Sequence, residues 1–206
     1  MDQLIFNAAD HTYWLGGKPI PNVTRILAPL VDYSMVRPEV LELARQKGQA
    51  VHAMADMWAK NDLAEDKLPE WMKPVLAEWL KFVDDTGLKV VASEKKVYHP
   101  IYGYAGAFDA RATMRAMPGH GMLDLKRSFM AGNVTGLQTA AYAEAENAEG
   151  YTRDTRVRWR AALKLREDGP YRLEIFDDAN DFSVFLAALK HYTTGQTLDE
   201  WKRKNK

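Results

Sequence analysis

Asp124 and Lys126 stand two residues apart in the run Met122-Leu123-Asp124-Leu125-Lys126, where apolar and polar side chains alternate. That period-2 pattern predicts a strand with Leu123 and Leu125 on a covered face, and Asp124 and Lys126 together on the other. Upstream, Phe108 to Met114 alternates in the same way and carries Asp109. If the two runs fold as a hairpin with its loop near Ala116 and Met117, Asp109 lies across from Asp124. Pro118 and Gly119 then call for a bulge to keep that register. Two carboxylates and one ammonium on a small patch suit Mg²⁺ or Mn²⁺, which takes one or two acids and leaves positions for water and phosphate oxygens. Such an ion acidifies a bound water and polarises a phosphoryl group, and a nearby lysine holds or deprotonates that water. An ordinary cross-strand salt bridge uses the same three residues, so this pattern alone leaves both readings open.

Other chemistry-bearing residues lie on the flanking elements. A helix from about Pro38 to Lys60 contains Gly48 and, one turn later, His52, a face where backbone approaches a phosphate or metal beside an imidazole. Pairing of His52 with Asp56, a further turn on, is the alternative. Glu94 sits within a strand spanning Lys89 to Tyr98, either as an outer or water-mediated metal ligand or as a solvated strand acid. Gln138 and Tyr142, four apart on a helix from about Val134 to Glu146, share a face able to orient a water or a DNA phosphate, or to form a polar rim. Thr24 and Arg25 open a short helix capped by Asn22 and are candidate phosphate contacts. Arg156, Arg158, Arg160 and Lys164 form a basic stripe along a strand from Arg156 to Leu165, a candidate DNA-binding face or a solvated one.

Elements must hold these residues in place. Thr12 to Leu15 and Lys18 to Ile20 flank Gly16-Gly17 as a short hairpin. A helix from Pro69 to Asp85 ends at Thr86-Gly87 and buries Trp71, Val75, Trp79 and Phe82. Tyr171 to Phe176 pairs with the preceding strand through a turn at Glu167 to Pro170, and a helix over Asp181 to Tyr192 packs Phe182, Phe185, Leu186 and Leu189. The 206 residues suffice for one domain, organised as an N-terminal hairpin and helical layer (1–87), a catalytic core (88–195) and a basic tail (196–206). Hydrophobic content of 47% with a mean hydropathy of −0.40 describes a soluble chain without a bilayer-spanning run. Lys+Arg 28 against Asp+Glu 28 gives no net charge, so nucleic-acid affinity has to come from local distribution. Absence of cysteine excludes disulfides, thiolate zinc sites and iron–sulfur clusters and fits a reducing compartment. With neither a secretory signal nor an Arg-rich presequence at its N-terminus, the chain is expected to be cytoplasmic.

In order, Gly48-x-x-x-His52, Glu94, Gly106-x-x-Asp109, Asp124-x-Lys126 and Gln138-x-x-x-Tyr142 resemble the PD-(D/E)XK nuclease superfamily and, within it, the RecB-like exonuclease branch. The stretch His11-x-Tyr13, Gly17, Pro21-x-Val23-Thr24-x-Ile26-Leu27 is similar to the N-terminal motif of phage exonucleases and of the mitochondrial genome maintenance exonuclease. The resemblance implies an α/β fold with a restriction-endonuclease-like core, a mixed central sheet flanked by helices. It implies Mg²⁺- or Mn²⁺-dependent hydrolysis of DNA phosphodiesters, with one or two ions. By position, Asp109, Asp124, His52 and the Leu125 carbonyl would bind metal, Lys126 would activate water, and Gln138 and Tyr142 would position the nucleotide or the lysine. Where the family usually carries Thr followed by Gly or Ser, this chain has Arg127-Ser128, which changes the local DNA contact. The expected role is a phage or bacterial exonuclease of recombination or repair, acting on linear DNA with an accessible end, with room for a recombination partner protein. Readings from other classes are a non-catalytic DNA- or partner-binding module on a nuclease fold, or a nicking or site-specific endonuclease.

Overall fold

A computed structural model describes residues 3–7, 10–127 and 132–204, with side chains left aside at 132, 133, 196–202 and 204. Three short strands, β1 (Leu4–Asn7), β2 (Thr12–Leu15) and β3 (Lys18–Ile20), form an antiparallel meander. β2 and β3 are the hairpin read from Gly16-Gly17; β1 is an addition that its mixed polarity conceals. Then come α1 (Val23–Leu27), α2 (Pro38–Ala59) and α3 (Lys73–Thr86). Asn22 caps α1 as expected, its Oδ1 accepting from the Arg25 N–H at 2.7 Å. α3 starts later than its apolar spacing suggested, because Glu70–Met72 form a 3₁₀ turn ahead of it.

The main sheet contains β4 (Lys89–His99), β5 (Tyr104–Met114), β6 (Met117–Lys126), β7 (Val157–Arg166) and β8 (Gly169–Phe176), in that spatial order. It is mixed: β6 and β7 run parallel and the other neighbours antiparallel. The parallel step requires a crossover, and α4 (Gly132–Asn147) supplies it. α5 (Asp181–Lys204) closes the chain and runs well past Tyr192, so the segment read as a separate basic tail continues a helix.

Two apolar layers cover the sheet. On one face Val51, Met54 and Ala55 of α2 and Val75, Leu76, Trp79 and Phe82 of α3 pack on Ala110, Ala112, Leu123, Leu125, Leu163 and Leu165. On the other, α1, α4 and α5 enclose Tyr104, Phe108, Met122, Ala141 and Phe185. Leu123 and Leu125 thus enter one core, as alternation demands, which sends Asp124 and Lys126 toward α4. Gly121 is sterically required in β6: a Cβ there would sit 1.8 Å from the Trp159 indole. Among the described residues no helix is long and apolar enough to cross a membrane.

His99 ends β4 buried against Tyr104 and Phe182. Its Nδ1 accepts from the N–H groups of Ile101 and Tyr102 at 3.3 and 3.4 Å, an arrangement suited to a neutral ring. Burial holds the imidazole below its ordinary pKa. The unfolded chain therefore binds a proton before the folded one does. Stability from this site is complete above pH about 6.5 and is lost as pH falls toward the depressed folded value. Urea unfolding at descending pH is expected to show that decline in wild type and a weaker one in His99→Gln. An identical decline in both proteins would refute the assignment.

Candidate metal centre

Strand register assembles the site. Ser93 and Lys95 of β4 pair with Ala110 and Phe108 of β5, which sets Glu94 beside Asp109. Ala110 pairs with Leu123 of β6, which sets Asp109 beside Asp124. The register slips between Ala112 and Met114, the irregularity that Pro118-Gly119 implied, and Arg115-Ala116 make the turn. α2 then brings His52 across the strand ends.

His52 does not turn to Asp56. Its Nδ1 lies 3.2 Å from Asp109 Oδ1, and its Nε2 lies 3.0 Å from the Leu125 carbonyl oxygen. Both partners accept, so both bonds are satisfied together only by a doubly protonated ring. Burial alone would lower the imidazole pKa, but Asp109 and then Asp124 outweigh it and raise it to about 9. Asp56 instead accepts from Ser93 Oγ at 2.6 Å and pairs with Lys60 at 2.7 Å.

The carboxylates differ. Asp109 is mostly enclosed, which disfavours its charge, yet His52, Lys126 and the Leu125 N–H donating to its Oδ2 at 2.6 Å hold it below the usual carboxylate range. Asp124 is pushed up to about 6 by burial, reinforced by Asp109's charge, even with Lys126 Nζ 2.7 Å from its Oδ2. Lys126 is half-buried, which disfavours its charge, but Asp124 and Asp109 overcome that and raise its pKa, so the amine stays an ammonium. From there Nζ donates to Gln138 Oε1 at 3.3 Å, and Gln138 Nε2 donates to the Tyr142 hydroxyl at 3.1 Å. Thr24 and Tyr142 line the same cavity. The Tyr142 ring explains the glycine three residues before Asp109: a Cβ on Gly106 would stand 2.4 Å from its Cε1.

Glu94 carries a φ of +48°, a left-handed conformation for a non-glycine residue inside a strand. Such backbone costs on the order of 1–3 kcal/mol and concentrates at functional sites. Glu94 is exposed at the rim of the site, and partial desolvation of its carboxyl, then Asp109, raises its pKa. Among the described residues, Glu94, His52 and Asp109 each offer a donor atom within 4.8 Å of the others. Asp124 stands outside this trio, engaged with Lys126. The donors fit a hard divalent cation: two carboxylates and an imidazole converge, with Asp124 and the Leu125 carbonyl adjoining. The protonated His52 already neutralises Asp109 and engages the Leu125 oxygen, so cation binding there must release that proton.

Two cavities meet at His52. One, about 830 Å³, lies between the first half of α2, the end of β6 and the β7–β8 turn. The other, about 330 Å³, contains Thr24, Arg25, Glu94, Asp109, Gln138 and Tyr142. Arg25 there donates to the Asp10 carbonyl at 2.8 Å. Gly48 lines the larger cavity, and a Cβ on it would meet nothing within 4 Å, so no protein group approaches it. Arg127 pairs with Glu167, which also binds Lys47 at 2.8 Å. The Lys47–Glu167 pair spans 120 residues of sequence, and no local pattern announces it. Ser128 lies outside the described residues.

The basic stripe is not brought to the centre. Arg156 lies just before β7 and Arg158 at its start, whereas Asp124 pairs beside Ala162, four to six residues along and hence roughly 13–20 Å away. Arg156 stands 3.6 Å from Glu144, and Arg158 donates to the Arg153 carbonyl. Arg160 is held by Asp181 and the Gly136 carbonyl, each at 2.8 Å. The stripe is covered unevenly: Arg156 and Arg158 stay exposed, whereas Arg160 is half-buried in its contacts with α4 and α5.

No family model and no curated protein matches the chain. Among solved structures it is similar to an alkaline exonuclease from Laribacter hongkongensis at 15% identity, over 88% of this chain and 93% of that one, with a TM-score of 0.33. A likeness that loose decides neither fold nor activity.

Proposed function

We propose that this protein is a Mg²⁺- or Mn²⁺-dependent deoxyribonuclease that degrades linear DNA from an end. The observation that carries the reading is the convergence of His52, Glu94 and Asp109 donors beside the Asp124–Lys126 pair. When bound, the cation supplies charge neutralisation at the scissile phosphate and acidifies water. His52, Glu94 and Asp109 would hold it, joined by Asp124 and the Leu125 carbonyl.

Lys126 is supported more strongly as an electrostatic clamp than as a base, since its acid neighbours keep it charged. Gln138 fixes where the ammonium points, and Tyr142 fixes Gln138. Thr24 and Arg25 face the smaller cavity, where a backbone phosphate on one side of the scissile bond would lie. The site opens into a cavity on each side of His52, an arrangement that suits a strand passing through. A role in phage or bacterial recombination, and a partner protein, belong to the same proposal.

The test is direct. Purified protein is expected to release nucleotides from end-labelled linear DNA with Mn²⁺ or Mg²⁺, to leave closed circles intact, and to stop with EDTA. Absence of metal-dependent degradation of any DNA would overturn the reading, and cleavage of closed circles would make the enzyme an endonuclease.

A further inference from the structure

α2 spans 22 residues, yet its buried side chains are Val51, Met54 and Ala55, all in the second half. The first half presents apolar groups to solvent instead: Val40 is 46% exposed and Leu41 37%. Nearby, Tyr33 is 43% exposed on the connector before the helix. Core packing accounts for none of these. They are walls of the larger cavity, whose far end is His52, Leu125 and Lys126.

Val40, Ala44, Gly48 and His52 recur at four-residue spacing and therefore form one stripe along the helix. Side chains along it shrink from Val to Ala to Gly before the imidazole, leaving a smooth floor that leads to the catalytic end. The open space over Gly48 is not filled by any part of the protein within 4 Å of a Cβ position. At about 830 Å³ the cavity falls within the roughly 300–1,000 Å³ of small-ligand pockets.

Charge says which part of a nucleotide belongs there. Arg45 is paired with Glu42, Arg127 with Glu167 and Arg166 with Asp168. A phosphate at this rim would compete with a carboxylate for each guanidinium. Lys126 is likewise paired with Asp124, but it adjoins the candidate cation centre, so that end is where a phosphate is best received, and the apolar and aromatic wall behind it suits the planar face of a base.

We propose that this cavity is a subsite for one unpaired nucleobase of the substrate strand, with Tyr33 as its stacking surface. The proposal rests on the nuclease reading for its ligand class. A base seated there is out of its duplex stack, which costs a few kcal/mol for a paired base and far less for an unpaired one. The enzyme accordingly favours single-stranded or frayed ends over blunt, GC-rich ones.

The experiment measures binding of the full-length protein to short single-stranded oligothymidylate with Ca²⁺ replacing the catalytic ion. One abasic residue is placed at successive positions from each end. One position is expected to weaken binding roughly tenfold or more. Tyr33→Ala should erase that penalty while leaving affinity for the abasic strand unchanged, and Tyr33→Trp should retain it. Gly48→Leu, which fills the floor, should weaken binding of the intact strand and spare the abasic one. No position-dependent penalty, or a penalty unchanged in Tyr33→Ala, overturns the proposal. Parallel Mn²⁺ assays of the same strands separate the two readings. Cleavage without an abasic penalty sinks the subsite alone; a Tyr33-dependent penalty without cleavage supports the subsite and sinks the nuclease reading.

Discussion

Asp124→Asn is expected to lower Mn²⁺-dependent release of nucleotides from linear DNA by roughly a thousandfold. The change removes one charge and almost no volume. Asp124 is 3% exposed and 2.7 Å from Lys126 Nζ, so it carries out two tasks: it holds the ammonium in place, and it adds negative charge beside the His52–Glu94–Asp109 donors. The fold should survive, because the Lys126 side chain is 26% exposed and can recover solvent when its partner is neutralised. Thermal melting of the variant provides that control. The two tasks are separable. If Asp124 acts on the cation, the Mn²⁺ concentration for half-maximal activity rises in Asp124→Asn and not in Lys126→Met. If it acts only through the lysine, both variants keep the wild-type metal dependence and the double variant is no slower than either single one. Activity of Asp124→Asn within a few-fold of wild type would refute a catalytic role for this pair.

Period-2 alternation made the central part of this site legible. In Met122 to Lys126 it separates Leu123 and Leu125, which enter one core, from Asp124 and Lys126, which face α4. The same logic on Phe108 to Met114 sets Asp109 beside Asp124, and Pro118-Gly119 flagged the irregular register. Asn22 at a helix start and Gly87 at a helix end are local signals with local causes. The parts that were hidden depend on long-range encounters. Asp56 is the obvious partner for His52 along the helix, but β5 places Asp109 closer and Ser93 occupies Asp56. The left-handed backbone at Glu94 has no local signal, because a glutamate in an alternating strand gives no hint of it. Alternating arginines suggested a solvated basic face, which holds at Arg156 and Arg158, whereas Arg160 farther along is half-buried in an ion pair with Asp181. Alternation reports which side of a strand a residue occupies. It does not report what covers that side.

Glu146→Ala is expected to destabilise folding by about 3–5 kcal/mol, the cost of breaking a buried ion pair by removing one partner. Glu146 is fully buried on α4, where it receives Lys95 Nζ at 2.8 Å, Arg111 Nη1 at 3.3 Å and the Tyr151 hydroxyl at 2.8 Å. Arg111 is itself 4% exposed and stacks its guanidinium 4.2 Å from the Tyr151 ring centroid. Without the carboxylate its charge stays in the interior with the Thr155 carbonyl as remaining acceptor. Glu146→Gln keeps an acceptor and the shape, and should cost less than the alanine variant. Urea denaturation checks both, and a loss below about 1 kcal/mol for Glu146→Ala would show that the cluster is dispensable. The effect bears on the site through geometry. Gln138, Tyr142 and Glu146 fall at four-residue intervals, so they share one face of α4. Anchoring Glu146 to β4 and β5 sets the rotation of the helix about its axis, and that rotation aims Gln138 at Lys126 and Tyr142 over Gly106. Below its melting temperature Glu146→Gln should therefore retain cleavage. In Glu146→Ala, by contrast, any loss of activity in the still-folded protein should be accompanied by weaker DNA positioning, seen as a raised KM, with the metal requirement unchanged.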